Sequence, residues 1–462
     1  MNAVLDLAIR GGLLVTADGR RRADVGVKDG VIVAIGDHVA PAAQELDATA
    51  LHVLPGGVDV HTHIDQLSST GLHTADDWTS ASRSAAAGGT TTVLAHAAQP
   101  RGASLRAAVE AYAARAAAHA VIDYGFHLLL SDPTEAVLQD ELPALIAAGH
   151  RSVKLFMTYE RVRLTDDQLL RAMAVCVAHG ALPIVHAEHH ELVQWHVAQL
   201  LAAGRTAPRW HAHARPEVAE AEAIHRATLL AQAVGTPLMV FHVSGALGLE
   251  ELRRARARGA TVYAETCPQY LAFTAADLEH DGFEVVQRMF SPPPRDAAAH
   301  AALWAALADG TLDCWSSDHA PYRWDDPAGK KAFGVDAPFS RIPSGVPGLA
   351  IRMPYLLSEG VGTGRLPLER AVALGCTVPA ERYGLYPAKG TIAVGSDADL
   401  VLWDLAADVT VTLERMHDRM DYTPYAGRRL TAWPMVTLSR GTVVHAGDTP
   451  HGAPGRGRLL RR

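Results

Sequence analysis

Cysteine is scarce in this chain. Cys176, Cys267, Cys314 and Cys376 are widely scattered with no CxxC pair, which excludes a disulfide scaffold and suits a reducing compartment. No run of about 18 uncharged apolar residues occurs, so a membrane span is excluded. The segment Met1 to Asp6 lacks a basic stretch followed by a long apolar one, so no signal peptide is expected and the cytoplasm is the default compartment. Positive charge is also short: 42 Lys and Arg face 50 Asp and Glu, a net charge of -8. No basic stripe is available to neutralise phosphates, which argues against a nucleic-acid partner. Arginines gather only between Arg456 and Arg462, read here as a frayed basic tail. The rest is ordinary for a globular enzyme, 48% apolar and 20% charged, so most of the chain is expected to fold.

A length of 462 residues suits one large barrel with a smaller domain. The first 50 residues read as a small β meander. Its apolar runs Leu7–Ile9, Leu13–Thr16, Val25–Val27 and Val31–Ile35 are separated by turns that include Asp18-Gly19 and Asp29-Gly30, a hairpin signal. From Pro55 short apolar runs recur: Val58–His63, Thr91–Ala97, Tyr124–Leu130, Ser152–Thr158, Pro183–Glu188, Leu238–Ser244, Thr261–Thr266 and Asp313–Asp318. Alanine-rich, helix-compatible stretches such as Ala103–Ala118, Asp166–His179 and Val218–Val234 lie between them. Eight strands alternating with helices predict an α/β chain with a (β/α)8 TIM-type barrel, with insertions after the fifth and seventh strands and beyond the eighth. A doubly wound open sheet is the rival, but no GxGxxG follows any of these runs. Strand character returns at Gly390–Gly395, Asp399–Asp404, Val436–Leu438 and Thr442–Val444. We therefore expect residues 1–54 and 386–462 to form one composite β-sandwich, into which a barrel of residues 55–385 is inserted.

The polar residues on these strands form a pattern. His61 and His63 close the first strand, Lys154 sits in the fourth, His186 closes the fifth, His242 the sixth and Asp318 the eighth. Active sites of such barrels lie at the C-terminal strand ends. His61 and His63, two apart on a strand, point to one side. Imidazoles converging from neighbouring strands suit Zn2+ or a similar divalent ion. Any one of these histidines alone carries little weight; the set does. Lys154, within Val153–Met157, would bury an ammonium, which costs several kcal/mol unless it is paired or neutralised. Carbamylation would remove that charge and supply oxygens able to bridge two cations.

The stretches Pro55–His63, Ser152–Met157, Phe241–Ser244 and Ser317–Pro321 resemble the amidohydrolase superfamily. Over nearly the whole length the chain is similar to the dihydropyrimidinase and hydantoinase family, with support from Ala87–Thr92, Glu265–Leu271, Ser291–Pro293 and Gly395–Leu400. The resemblance implies a binuclear metal centre, most simply two Zn2+ ions. His61, His63 and Asp318 would hold one ion and His186 and His242 the other, with Lys154, carbamylated from CO2 or bicarbonate, bridging them. It implies ring opening of a small cyclic amide, a hydantoin or dihydropyrimidine, to an N-carbamoyl amino acid by a hydroxide shared between the ions. Asp318 would act as general base and then acid. Tyr159 matches the tyrosine that hydrogen-bonds the oxyanion, while Ser291 and Ser344 match positions whose backbone holds the imide edge. A homotetramer is implied by the resemblance alone.

Dihydroorotases, which carry an arginine two residues after the HxH pair, and allantoinases, which continue with Asn-Glu-Pro, are disfavoured by Asp65-Gln66-Leu67. Departures from the family pattern bear on substrate rather than reaction. Ala95-His96 replaces Asp-Phe, Glu188-His189-His190 replaces Glu-Asn-Gly, and Ser344 replaces an asparagine. His96, His189, His211 and His213 are candidates to line the substrate entrance. The alternatives are an amidohydrolase acting on another cyclic imide or an acyclic ureide, and a non-enzymatic scaffold like the vertebrate collapsin-response proteins. The complete set of ligand positions disfavours the scaffold. A metal-dependent deaminase would have no use for a bridging lysine.

Overall fold

The structure, a computed structural model, describes residues 4–68 and 71–462. The chain opens with β1 (Leu5–Thr16), β2 (Gly19–Lys28), β3 (Val31–Gly36), β4 (Ala42–Asp47) and β5 (His52–Pro55). The two apolar runs expected before Asp18 belong to one strand: β1 continues across a register shift between Ile9 and Gly12, where Gly11 takes a φ of 66°. A bulge with glycine in the left-handed region lets a ladder bend without ending. The β2–β3 hairpin turns through Asp29 and Gly30, both at positive φ, as a two-residue connection of Asp-Gly type requires.

Eight parallel strands follow: β6 (Gly57–Thr62), β7 (Thr90–Ala98), β8 (Asp123–Leu129), β9 (Ser152–Phe156), β10 (Leu182–His186), β11 (Leu238–Val240), β12 (Val262–Thr266) and β13 (Cys314–Trp315). They pair in chain order, and the ring closes through a bridge between Thr62 and His319. This is the expected (β/α)8 barrel. Its strands read as continuous apolar runs because both faces are covered; every residue of β8 and β9 is buried. The helix Asp166–His179 shows how a connection is punctuated. Thr165 and Gln168 form a reciprocal capping box, and Gly180 ends the helix at a φ of 71°.

The chain ends meet as expected. After β14 (Leu400–Asp404), a two-stranded ribbon of β15 (Val409–Thr410) and β16 (Arg429–Leu430) precedes β17 (Trp433–Ser439), β18 (Thr442–Ala446) and β19 (Thr449–Pro450). The strand β14 lies between β5 and β17, so both ends of the chain share one nine-stranded sheet. Its apolar face gathers Ile9, Val25, Val53, Leu400 and Leu438 into one buried cluster. Gly390–Gly395, expected to carry strand character, forms turns instead. It passes over β3, where Gly395 donates to Ile32.

The C-terminal arginines are not a frayed tail. Tyr124 donates to the carbonyl of Arg458, and Leu460 donates back to Tyr124. Arg462 reaches the Phe126 carbonyl and the Ser152 hydroxyl. The segment satisfies backbone groups at the N-terminal edge of β8, opposite the ends that carry the site. Beside it, Lys389, 2% exposed, lies 2.7–2.9 Å from Asp123, Asp399 and Asp397. This buried ion cluster ties the barrel floor to the composite sheet.

Candidate metal centre

The nine residues expected to bind metal or substrate line one cavity of about 350 Å3: His61, His63, Lys154, His186, His242, Asp318, Tyr159, Ser291 and Ser344. Side-chain alternation places them there. On β7 and β10, Leu94 and His96, and Ile184 and His186, share a face two residues apart. Leu94 and Ile184 belong to an apolar plug with Val58, Met239, Phe241 and Cys314, and the polar residues lie nearer the C-terminal ends.

His242 and Asp318 do not end strands. They lie two residues beyond β11 and three beyond β13, both shorter than the apolar runs around them. The reason is local: His242 has φ 42° and Asp318 φ 46°, and Tyr159 stands at φ 68°. Left-handed backbone is uncommon outside glycine, costly for a residue as bulky as tyrosine, and cannot continue a parallel ladder. Three such residues facing one cavity are strain held where function needs it.

The imidazoles are oriented by partners the sequence analysis did not assign. Glu265 Oε1 is 2.5 Å from Nδ1 of His61, and Gln66 Oε1 is 2.9 Å from Nδ1 of His63. Each acceptor fixes the proton on Nδ1 and leaves Nε2 as a lone pair facing inward. Both Nε2 atoms approach Asp318 Oδ1, at 3.1 and 3.4 Å. In the second group, Glu188 accepts from Nε2 of His186 at 2.7 Å, so Nδ1 of His186 faces Nε2 of His242 at 2.9 Å. Burial holds His61 and His242 well below the usual histidine range, so both are neutral, the form that ligates metals. Neutral imidazole nitrogens converging on one another and on a carboxylate fit a divalent cation, and His61, His63 and Asp318 bring one ligand atom each into such a cluster.

Lys154 is fully buried, and among the described residues its Nζ has no hydrogen-bond partner. It lies 4.0 Å from the ring centre of Phe241 and 5.0 Å from that of Phe156. Burial pulls its ammonium down to about 7, against the opposing pull of Asp318 and Glu265. An orphaned amine in the same cavity as the prospective ligands fits a site completed by a group not encoded in the chain.

Tyr159 packs edge-on against His186, ring centres 5.2 Å apart, with the Arg215 guanidinium 5.2 Å from its own ring. Burial raises its phenol, so the hydroxyl keeps a proton to donate. The Ser291 and Ser344 hydroxyls meet at 2.8 Å, joining two loops at the far wall.

Four histidines were candidates for the substrate entrance, and the structure separates them. None of them lines the cavity that holds the prospective ligands. His96 is buried inside the barrel, its ring stacked 4.6 Å from that of His63, with Nδ1 on the Thr62 carbonyl. His211 is buried and reaches the Phe290 carbonyl at 2.9 Å and Ser291 Oγ at 3.2 Å, where it lines an adjoining chamber. His213 is exposed and faces Glu279 at 2.7 Å. His189 caps the helix His190–Ala202 by accepting from Leu192.

The missed residues are Glu188, Glu265, Gln66 and Arg215. Arg215 grips Glu188 at 2.5 Å. Burial alone would raise the Glu188 carboxyl, yet Arg215 and His186 hold it down at about 2. One signal existed for two of them: Glu188 and Gln66 follow His186 and His63 by two and three residues. A carboxylate or amide just past a ligand is placed to orient it.

The geometry is that of a metallohydrolase barrel, and the comparisons agree. Residues 52–444 match the model of the amidohydrolase family. The chain is 41% identical over 459 residues to a D-hydantoinase of Rhizobium radiobacter, with 99% of each covered. It is 39% identical over 459 residues to a D-phenylhydantoinase of Escherichia coli O1:K1 / APEC, covering 98% of this chain and 97% of that one. It superposes on the crystal structure of a dihydropyrimidinase from Brevibacillus agri NCHU1002 with a TM-score of 0.95 at 38% identity, covering 98% of both chains. The chain belongs to the amidohydrolase family, and within it to the hydantoinases.

Proposed function

We propose that this chain hydrolyses a cyclic amide, opening a hydantoin or dihydropyrimidine ring to an N-carbamoyl amino acid. The observation that carries the reading is the convergence of oriented neutral imidazoles, Asp318 and an orphaned Lys154 on one cavity. In this reading His61, His63 and Asp318 would hold one divalent ion and His186 and His242 a second, with carbamylated Lys154 available to both. Imidazole with carboxylate suits Zn2+. When bound, such a pair of ions acidifies water and polarises the ring carbonyl.

The chain's own groups account for the remaining chemistry. Asp318, its side chain 11% exposed on the cavity, takes the proton of the attacking water as the C–O bond forms. Tyr159 donates its phenolic hydrogen to the carbonyl oxygen as that oxygen gains charge. As the ring C–N bond breaks, Asp318 returns the proton to the departing nitrogen, because an amide nitrogen leaves poorly unless protonated. Backbone groups of Ser291 and Ser344 hold the imide edge of the ring. A neutral Lys154 amine adds CO2 and loses one proton to become the carbamate, which removes the burial problem of an ammonium. A cytoplasmic homotetramer is the assembly and compartment that accompany this reading.

The test is ring opening by purified protein supplied with bicarbonate and Zn2+, across hydantoin, 5-substituted hydantoins, dihydrouracil and succinimide. Turnover of hydantoins or dihydrouracil is expected. In Lys154→Ala, bound metal and activity should fall together, and full metal content with full activity in that variant would remove the bridging role.

A further inference from the structure

A second chamber of about 490 Å3 adjoins the metal cavity, sharing Tyr159, Arg161, Tyr322 and Ser344 with it as a common wall. Its floor is polar, formed by His211 and Arg215, and Val193, Val197 and Phe339 are among its apolar walls. Arg161 and Arg341 stand on its exposed rim. Arg215 is neutralised by Glu188, but among the described residues neither Arg161 nor Arg341 has a carboxylate within ion-pairing distance. Arg341 is held in place by Phe333, whose ring centre lies 4.6 Å from its guanidinium carbon. Arg101, also without a carboxylate partner among the described residues, lines the metal cavity and fixes the neighbouring loop by donating to the carbonyls of Arg161 and Arg163.

The acidic side of the balance is short here. Among the described residues, Asp318 is the one carboxylate lining the metal cavity and Glu160 the one lining the second chamber. Glu160 already faces Arg163 at 3.1 Å and His190 at 3.3 Å. A chain of net charge -8 thus concentrates unpaired guanidiniums at the mouth of its site. Placed there they raise the local concentration of anions and select among ligands by charge. A hydantoin or dihydropyrimidine ring is uncharged or weakly acidic and makes no use of them.

We infer that the second chamber receives a carboxylate-bearing arm of the substrate, so that the preferred substrates are cyclic ureides whose ring substituent ends in an anion. The inference rests on the ring-opening reading and names its substrate class. The ring sits at the metal cavity, the arm passes the Tyr159–Tyr322 wall, and its carboxylate meets the planar guanidiniums of Arg161 and Arg341, a geometry suited to bidentate contact.

The test compares, in the metal-loaded protein, a hydantoin carrying a butanoate arm with the same compound as its primary amide. One charge-assisted contact at a partly exposed site should favour the carboxylate by roughly tenfold in kcat/KM at low salt. That ratio should shrink at high salt and approach unity in the double variant Arg161→Gln/Arg341→Gln. A preference under about threefold, or one that survives both the salt and the double substitution, overturns the inference while leaving ring opening intact. If neither compound is opened, the ring-opening reading is what fails. Calorimetric titration of the same two compounds then still decides: tighter binding of the carboxylate that the double variant abolishes supports the chamber's role, and equal or weaker binding ends it.

Discussion

Replacing Arg215 with methionine tests whether the partners of the imidazoles, and not the imidazoles alone, build the metal centre. The substitution keeps most of the side chain's apolar stem and removes the guanidinium that lies 2.5 Å from Glu188. Glu188 is 1% exposed, so its carboxylate would stay buried with only His186 to bind it. The ordinary glutamate value of 4.5 is held at about 2 in the folded protein. At about 1.4 kcal/mol per unit this difference is worth roughly 3 kcal/mol. The folded value lies below the unfolded one, so that stabilisation is present above about pH 4.5 and is lost as pH falls from there toward 2. Spread over 462 residues, an unfolding entropy of about 2.1 cal/mol/K per residue makes 1 kcal/mol worth about 1 °C. Arg215→Met should therefore melt roughly 3 °C lower at pH 7, and the gap should close in acid. The loss of orientation at His186 should weaken one metal site by about 10–100-fold and spare the site of His61, His63 and Asp318. Competition against a graded chelator, counting ions retained per chain, reads this directly. A variant that melts with the wild type and holds both ions equally well would refute the reasoning.

Three further expectations are independent of that one. Tyr159→Phe should keep both metals and lose about 100- to 1,000-fold in kcat, the usual cost of one oxyanion donor; unchanged turnover with full metal content would take Tyr159 out of the mechanism. His96→Phe should leave the melting temperature within about 2 °C of the wild type, because removing a buried Nε2 that has no partner among the described residues offsets the loss of the Nδ1 hydrogen bond to the Thr62 carbonyl, and a drop beyond about 3 °C would show that Nε2 is satisfied in solution. Lys389→Met should lower it by about 3–5 °C through uncompensated buried charge on Asp123 and Asp399. Adding Asp399→Asn should recover part of that loss, and a double variant worse than the single one would contradict it.

The fold was legible because its signal is repetitive. Each barrel strand is buried on both faces, so each reads as an uninterrupted apolar run wherever it falls in the chain. The inward set was legible for the same reason, since a histidine or lysine inside such a run has few places to go. What escaped depends on contacts between residues far apart in sequence. Glu265 lies 204 residues from His61, and nothing local to either marks the pair. The strand ends at His242 and Asp318 were overrun because apolar character continues past the point where a positive φ stops the ladder, and composition does not register φ. The C-terminal arginines were misread for a related reason. A basic run looks solvated unless the carbonyls it reaches, such as that of Phe126, are known to be near.

The prospective ligands sit on or just past barrel strands whose spacing is set by backbone pairing, so their convergence follows from the fold. The groups that choose a substrate sit on loops: Arg101 follows β7, Arg161 follows β9, and Arg341 lies in the long connection after β13. Their positions answer to loop sequence, which can vary without disturbing the ladder. A chain can therefore keep every ligand position of its family and still differ in what it accepts at the mouth. The unpaired guanidiniums there, in a chain with more acids than bases, are where such a difference would be written. The substituent of the ring, more than the ring itself, is then the property on which this protein should be distinguished from its relatives.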